Sequence, residues 1–133
     1  MDLHLQDKSV IVTGGAKGIG AAAVESFAAE GARVAIAGRS PTEGESLAKE
    51  VGGIFIEAEL AEEAACRRVV DETLNAFGRI DVLVNNAGFN DGRDLETSPA
   101  EFMASVQLNL SHVYTLVHLC RGELAKNEGA IVN

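Results

Sequence analysis

Apolar residues fall along this chain in two alternating rhythms. Val10-Ile11-Val12, Arg33-Val34-Ala35-Ile36-Ala37, Ile54-Phe55-Ile56 and Ile80-Asp81-Val82-Leu83-Val84 are short runs that predict buried strands. Gly129-Ala130-Ile131-Val132-Asn133 starts a fifth. Between the runs, apolar residues recur at three- and four-residue spacing, the period of an amphipathic helix. The first helix carries Ile19, Ala23 and Phe27, with Ala22 and Val24 beside them, and Glu30-Gly31 stops it. Ser40-Pro41-Thr42-Glu43 is a capping-box signature with Pro at the first helical position, so a second helix is expected to about Val51. Cys66, Val69, Val70, Thr73, Leu74 and Phe77 form one face of a third, closed by Gly78. Ser98-Pro99-Ala100-Glu101 repeats the capping signature and opens a long helical region with a stripe of Phe102, Val106, Leu110, Val113, Val117 and Leu124.

Strand and helix alternate throughout, which requires parallel pairing, right-handed crossovers and helices on both faces of the sheet. The expected fold class is α/β, a doubly wound, Rossmann-like parallel sheet of order 3-2-1-4-5. Residues 1–133 read as a single dinucleotide-binding domain, incomplete at the C-terminus after the fifth strand. In such sheets a ligand sits at the carboxyl ends of the strands, near the switch between strands 1 and 4. Thr13-Gly14-Gly15-Ala16-Lys17-Gly18-Ile19-Gly20, Gly38-Arg39 and Asn86-Ala87-Gly88 all fall at those ends. The first of these runs from strand into helix. A helix start offers N–H groups with no intrahelical partner, and its dipole adds positive potential, so the loop suits a phosphate. Glycines let the backbone turn tightly and a pyrophosphate approach it closely.

Composition narrows the ligand. The formal net charge of -9 disfavours nucleic acid or an anionic membrane surface as a partner. A small anion remains open where local groups outweigh that field. The opening residues Met1 to Lys8 have no apolar core of the signal-peptide kind, and no run approaches a membrane span. Cys66 and Cys120 stand outside any Cys-x-x-Cys spacing and read as buried free thiols in a reducing cytoplasm. His4, His112 and His118 lack metal-ligand partners at suitable spacing, so no metal site is expected and they read as surface or satisfied residues.

Together, Thr13-Gly14-x-x-x-Gly18-Ile19-Gly20 and Asn85-Asn86-Ala87-Gly88 resemble the short-chain dehydrogenase/reductase family, along the whole chain but over only about the first half of a family member. The resemblance implies a nicotinamide dinucleotide and hydride exchange with an alcohol or carbonyl. It places Gly14, Gly18, Ile19 and Gly20 along the pyrophosphate, and Asn86, Ala87 and Gly88 along the adenine-side ribose and the end of the fourth strand. Glu59 and Leu60 fall where the family has Asp and a small apolar residue near the adenine; Glu59 is one methylene longer. Asn109 matches the catalytic asparagine, which shapes a helical irregularity and helps hold a water. Asn90-Asp91-Gly92, Leu95-Glu96 and the opening Leu3 to Lys8 look similar to members that oxidise L-fucose and related sugars. Arg93 and Asp94 depart from that pattern, and Asp91-Gly92 also reads as a tight surface turn.

Cofactor choice turns on Gly38-Arg39. A carboxylate at position 38 would bond the ribose hydroxyls of NAD and repel the 2′-phosphate of NADP. That carboxylate is absent, a guanidinium follows, and Lys17 in the glycine loop supplies a second positive charge, so NADP is expected, with NAD the alternative. The same residues argue against a methyltransferase, which shares the fold but expects an acidic end to strand 2.

Proton transfer is another matter. The family implies a Ser just past the fifth strand and, on the next helix, a Tyr with a Lys four residues on. The sequence ends at Asn133, before those places; Tyr114 is followed at that spacing by His118, in a helix too early in the order. Tyr114 reads as core or interface packing. The 133-residue chain alone is therefore expected to be inactive, as the cofactor-binding part of an oxidoreductase acting on an alcohol, carbonyl or sugar, the full-length form a homo-oligomer. The alternative is a dinucleotide-binding module without chemistry.

Overall fold

A computed structural model describes every residue from Met1 to Asn133. Five strands, β1 (Ser9–Thr13), β2 (Arg33–Gly38), β3 (Ile54–Glu57), β4 (Val82–Val84) and β5 (Ala130–Val132), form one sheet. All pairings are parallel and the order is β3-β2-β1-β4-β5. The five helices are α1 (Gly18–Ala29), α2 (Pro41–Val51), α3 (Glu63–Phe77), α4 (Pro99–Asn109) and α5 (Ser111–Lys126). This is the Rossmann-like architecture expected from the alternation of strand and helix.

The two faces of the sheet bury different residues because side chains alternate along a strand. Val10, Val12, Val34, Ile36, Val82 and Val84 pack with Val24 of α1 and Leu47 of α2. Ile11, Ala35, Ala37, Ile56 and Leu83 pack on the other face with Cys66, Val69 and Val70 of α3 and Leu116 and Leu124 of α5. The central strands are covered on both sides, as a parallel sheet requires. Gly52 and Gly78 end α2 and α3 in the left-handed conformation (φ 67° and 77°), which L-residues with a Cβ rarely adopt.

Several sequence expectations change. The long helical region is two helices, broken at Leu110 (φ -126°, ψ -35°). The buried line on α5 is His112, Leu116, Cys120 and Leu124, so only Leu124 of the expected stripe is fully buried; Phe102 and Leu110 are exposed. The break rotates the register, which a single helical period cannot anticipate. Ile19 is 84% exposed at the first turn of α1, where the helix end projects past the sheet. Tyr114 is no core residue: it is 74% exposed and stacks on His118. The capping box forms at Ser98, where Ser98 and Glu101 bond reciprocally, but not at Ser40. There Glu43 pairs with Lys17 at 3.0 Å instead.

β1 and β4 are joined below the cleft by Asp81, which is almost fully buried. Its carboxylate accepts from the Ser9 N–H at 2.9 Å and from Arg79 Nε at 2.8 Å, with Lys8 Nζ at 3.5 Å. Burial alone would raise the Asp81 carboxyl, but the Arg79 fork, the Ser9 N–H and Lys8 outweigh it and hold it below its ordinary value of 3.8. A depressed folded-state value gives stability that is present above about pH 4 and lost as pH falls. Asp81→Ala is expected to cost about 2 kcal/mol at pH 7, since it removes charge-assisted bonds from a buried site. Urea denaturation at pH 7 checks this, and a loss under about 0.5 kcal/mol would count against it.

Candidate dinucleotide site

The cleft lies where β1 and β4 part, at their carboxyl ends. Thr13, the last residue of β1, is fully buried, and its hydroxyl accepts from the N–H groups of Asn86 and Ala87, each at 3.0 Å. The same hydroxyl donates to the Val84 carbonyl at 3.3 Å. Asn86 answers with its side chain: Nδ2 donates to the carbonyls of Thr13 at 3.0 Å and Gly14 at 3.2 Å. One threonine and one asparagine thus tie the glycine loop to the end of β4.

That tie leaves no room for side chains. Gly14 sits at φ 63°, and a Cβ there would come 2.9 Å from Ala87 Cα. A Cβ on Gly20 would run into the Gly14 carbonyl and Asn86 Nδ2. Gly18 has φ 55° with open space where its Cβ would be, so it is needed for conformation rather than for clearance.

The loop's backbone donors are free. From Gly15 to Gly20, six consecutive N–H groups donate to no backbone acceptor. Lys17, at the N-cap of α1, makes no side-chain cap bond. Unpaired donors gathered at a helix start await an external acceptor, and a pyrophosphate fits both their number and the helix dipole.

Of the residues expected to bind cofactor, Gly14, Lys17, Arg39, Glu59, Leu60, Ala87 and Gly88 line one cleft. Gly18, Ile19 and Gly20 form the adjoining first turn of α1, and Asn86 braces the floor from beneath. Asn109, expected to be catalytic, is the last residue of α4 and stands at the helix break. Its Oδ1 accepts from the Phe89 N–H at 2.6 Å and its Nδ2 donates to the Ser105 carbonyl at 3.2 Å. It is brought to the edge of the cleft beside Gly88, 3.7 Å from where a Cβ would be.

The charges at the mouth are paired. Arg39 Nη1 lies 3.6 Å from Glu59 Oε2, and the Arg39 guanidinium sits over the Phe89 ring, 5.8 Å from its centroid. The Lys17 ammonium holds the Glu43 carboxyl below its ordinary range.

Sequence reasoning missed four lining residues: Ser40, Ala58, Leu108 and His112. His112 was expected to be a surface or satisfied residue. It is 2% exposed, and its Nδ1 has no hydrogen-bond partner. No local signal marked it, because Leu108 and His112 stand on opposite sides of the break at Leu110. Desolvation holds His112 below its ordinary value of 6.5, so it is neutral in the folded chain at pH 7. The cysteines are buried as expected, and desolvation pushes Cys66 up to about 11 and Cys120 up to about 12, which makes both inert.

The pattern for "short chain dehydrogenase" matches residues 8–133. The chain belongs to that family. Among family relatives, it is 40% identical over 129 residues to an L-fucose dehydrogenase of Mus musculus, covering 95% of this chain and 47% of the relative. It is 38% identical over 116 residues to an NADP-dependent (R)-specific alcohol dehydrogenase of Lentilactobacillus kefiri, covering 84% and 46%. A probable galactose dehydrogenase of Rhizobium meliloti (strain 1021) is 36% identical over 137 residues, covering 97% and 54%. The crystal structure of Cj0485 dehydrogenase superposes with a TM-score of 0.90 at 36% identity, covering 98% of this chain and 52% of that one. The chain thus spans about half the length of the family members it matches. No helix is long and apolar enough to cross a membrane.

The buried imidazole gives a pH signature. Because the folded-state value is depressed, the unfolded chain binds more protons below about pH 6.5, and stability falls as pH drops through that window. Carboxylates contribute only at lower pH. Wild type is expected to lose more stability than His112→Leu between pH 7.0 and 5.5, measured by urea denaturation. Equal losses in the two proteins would refute the assignment.

Proposed function

We propose that residues 1–133 form the dinucleotide-binding domain of an NADP-dependent oxidoreductase that exchanges hydride with an alcohol or carbonyl, a sugar being the favoured substrate. The observation carrying the cofactor choice is the mouth of the cleft. Gly38 ends β2 without a carboxylate, and Arg39 and Lys17 line the same cleft. A ribose 2′-phosphate would find two cations there and no acidic residue at the strand end to repel it. NAD, lacking that phosphate, would forgo both contacts.

The residues present suit the cofactor. The free N–H groups from Gly15 to Gly20 would hold the pyrophosphate, Ala58 and Leu60 supply an apolar wall for the adenine, and Gly88 leaves the end of β4 open. Bound there, the nicotinamide dinucleotide supplies the hydride chemistry. Asn109 would position groups through the helix break, with its oxygen committed to the Phe89 N–H. Sugar substrates are supported by the L-fucose and galactose dehydrogenases among the relatives. Exposed Phe102 on α4, Leu110 at the helix break and Tyr114 on α5 support self-association of the full-length protein. Two buried free thiols support a reducing, cytoplasmic setting.

Arg39→Ala is expected to weaken NADP binding about tenfold, equivalent to about 1.4 kcal/mol, and to leave NAD binding within about twofold. Isothermal titration with each cofactor reads this directly, and an unchanged NADP affinity would remove the assignment.

The 133-residue chain by itself is expected to bind NADP and to turn over no alcohol. Its one tyrosine, Tyr114, stands on α5 with His118, not Lys, four residues on. NADPH-dependent reduction of a carbonyl by the purified chain would overturn this.

A further inference from the structure

Both cations at the mouth of the cleft are held by carboxylates. Lys17 Nζ is 3.0 Å from Glu43 Oε1, and Arg39 Nη1 is 3.6 Å from Glu59 Oε2. Lys17, Arg39 and Glu59 line the cleft; Glu43 meets Lys17 from the first turn of α2, outside that lining. The four charges sum to zero.

The Glu43 pair forms where a local alternative exists. Ser40-Pro41-Thr42-Glu43 has the same pattern as Ser98-Pro99-Ala100-Glu101. At Ser98 the box closes: the Ser98 N–H donates to Glu101 Oε2 at 3.1 Å and the Glu101 N–H to Ser98 Oγ at 3.3 Å. At Ser40 no side-chain cap bond forms. The Glu43 carboxylate lies on Lys17 instead, and Ser40 is left lining the cleft beside Arg39. A capping interaction contributes about 1 kcal/mol, comparable to the upper range for an exposed ion pair, so here the cation draws the carboxylate away from its cap.

Resting on the reading of Lys17 and Arg39 as the 2′-phosphate site, we infer that Glu43 and Glu59 are counter-ions that set how strongly the cleft prefers 2′-phosphorylated over unphosphorylated adenosine. A phosphate bound by both cations must displace both carboxylates and then lie near them. An unphosphorylated ribose displaces neither. The two glutamates therefore lower the preference for the phosphorylated ligand, Glu59 from the cleft wall and Glu43 from outside its lining. Neutralising them leaves the cations free and the local charge at +2.

The test compares adenosine 2′,5′-bisphosphate with adenosine 5′-monophosphate by isothermal titration on the 133-residue chain. Glu43→Gln and Glu59→Gln should each raise the affinity ratio of bisphosphate to monophosphate about two- to fivefold, the range for releasing an exposed ion pair. The double variant should raise it further. Glu43 does not line the cleft, so Glu43→Gln should leave monophosphate binding unchanged; a merely structural role would move both ligands together. Lys17→Ala and Arg39→Ala separate the two levels of the argument. If they leave bisphosphate binding unchanged, the phosphate site itself is wrong and the counter-ions fall with it. If they weaken bisphosphate binding while Glu43→Gln and Glu59→Gln leave the ratio unchanged or lower it, the counter-ion role alone is overturned.

Discussion

The geometry of the cleft depends on one hydroxyl. Thr13 Oγ1 accepts two N–H groups from the turn after β4 and donates to the Val84 carbonyl, and it does so fully buried at the end of β1. A parallel sheet bonds its strands along their length but not past their ends, where the chain must splay to make a ligand site. Here the splay is limited by a side chain, and Asn86 reinforces it by holding the Thr13 and Gly14 carbonyls. The glycines are small because this tie draws two backbones together. The row of free donors has a different source, the loop's place at the start of α1.

The architecture was legible because burial on both faces leaves a plain record. Val10-Ile11-Val12 can be unbroken and apolar only if each face of β1 meets a helix, and alternation of such runs with helical periods implies the doubly wound order. The α3 face, read from Cys66 to Phe77, appears in the fold with its centre fully buried. Legibility failed where a competing interaction lay far away in sequence. Nothing near Ser40 reveals that Lys17 will take Glu43 from its cap, and nothing near Leu110 marks a helix break that turns His112 rather than Val113 inward.

The site divides along the same line. Gly14 and Gly18 came with the loop motif, and both take a positive φ, as a tight turn requires. Asn86 was placed at the right strand end, but its bonds run beneath the loop. Leu108 and His112 carried no motif and emerge only from the packing of α4 and α5 over the cleft. An apolar or polar residue at a helix start looks the same in sequence whether it meets solvent, core or ligand.

The neutral mouth of the cleft also bears on how anions arrive. With a chain charge of -9 and no net local charge at the opening, the long-range field draws no anion inward. Encounter is then left to diffusion, and the cations act only after the ligand is within a few ångströms and the ion pairs have parted. Discrimination among nucleotides would lie in how long each stays rather than in how fast each comes.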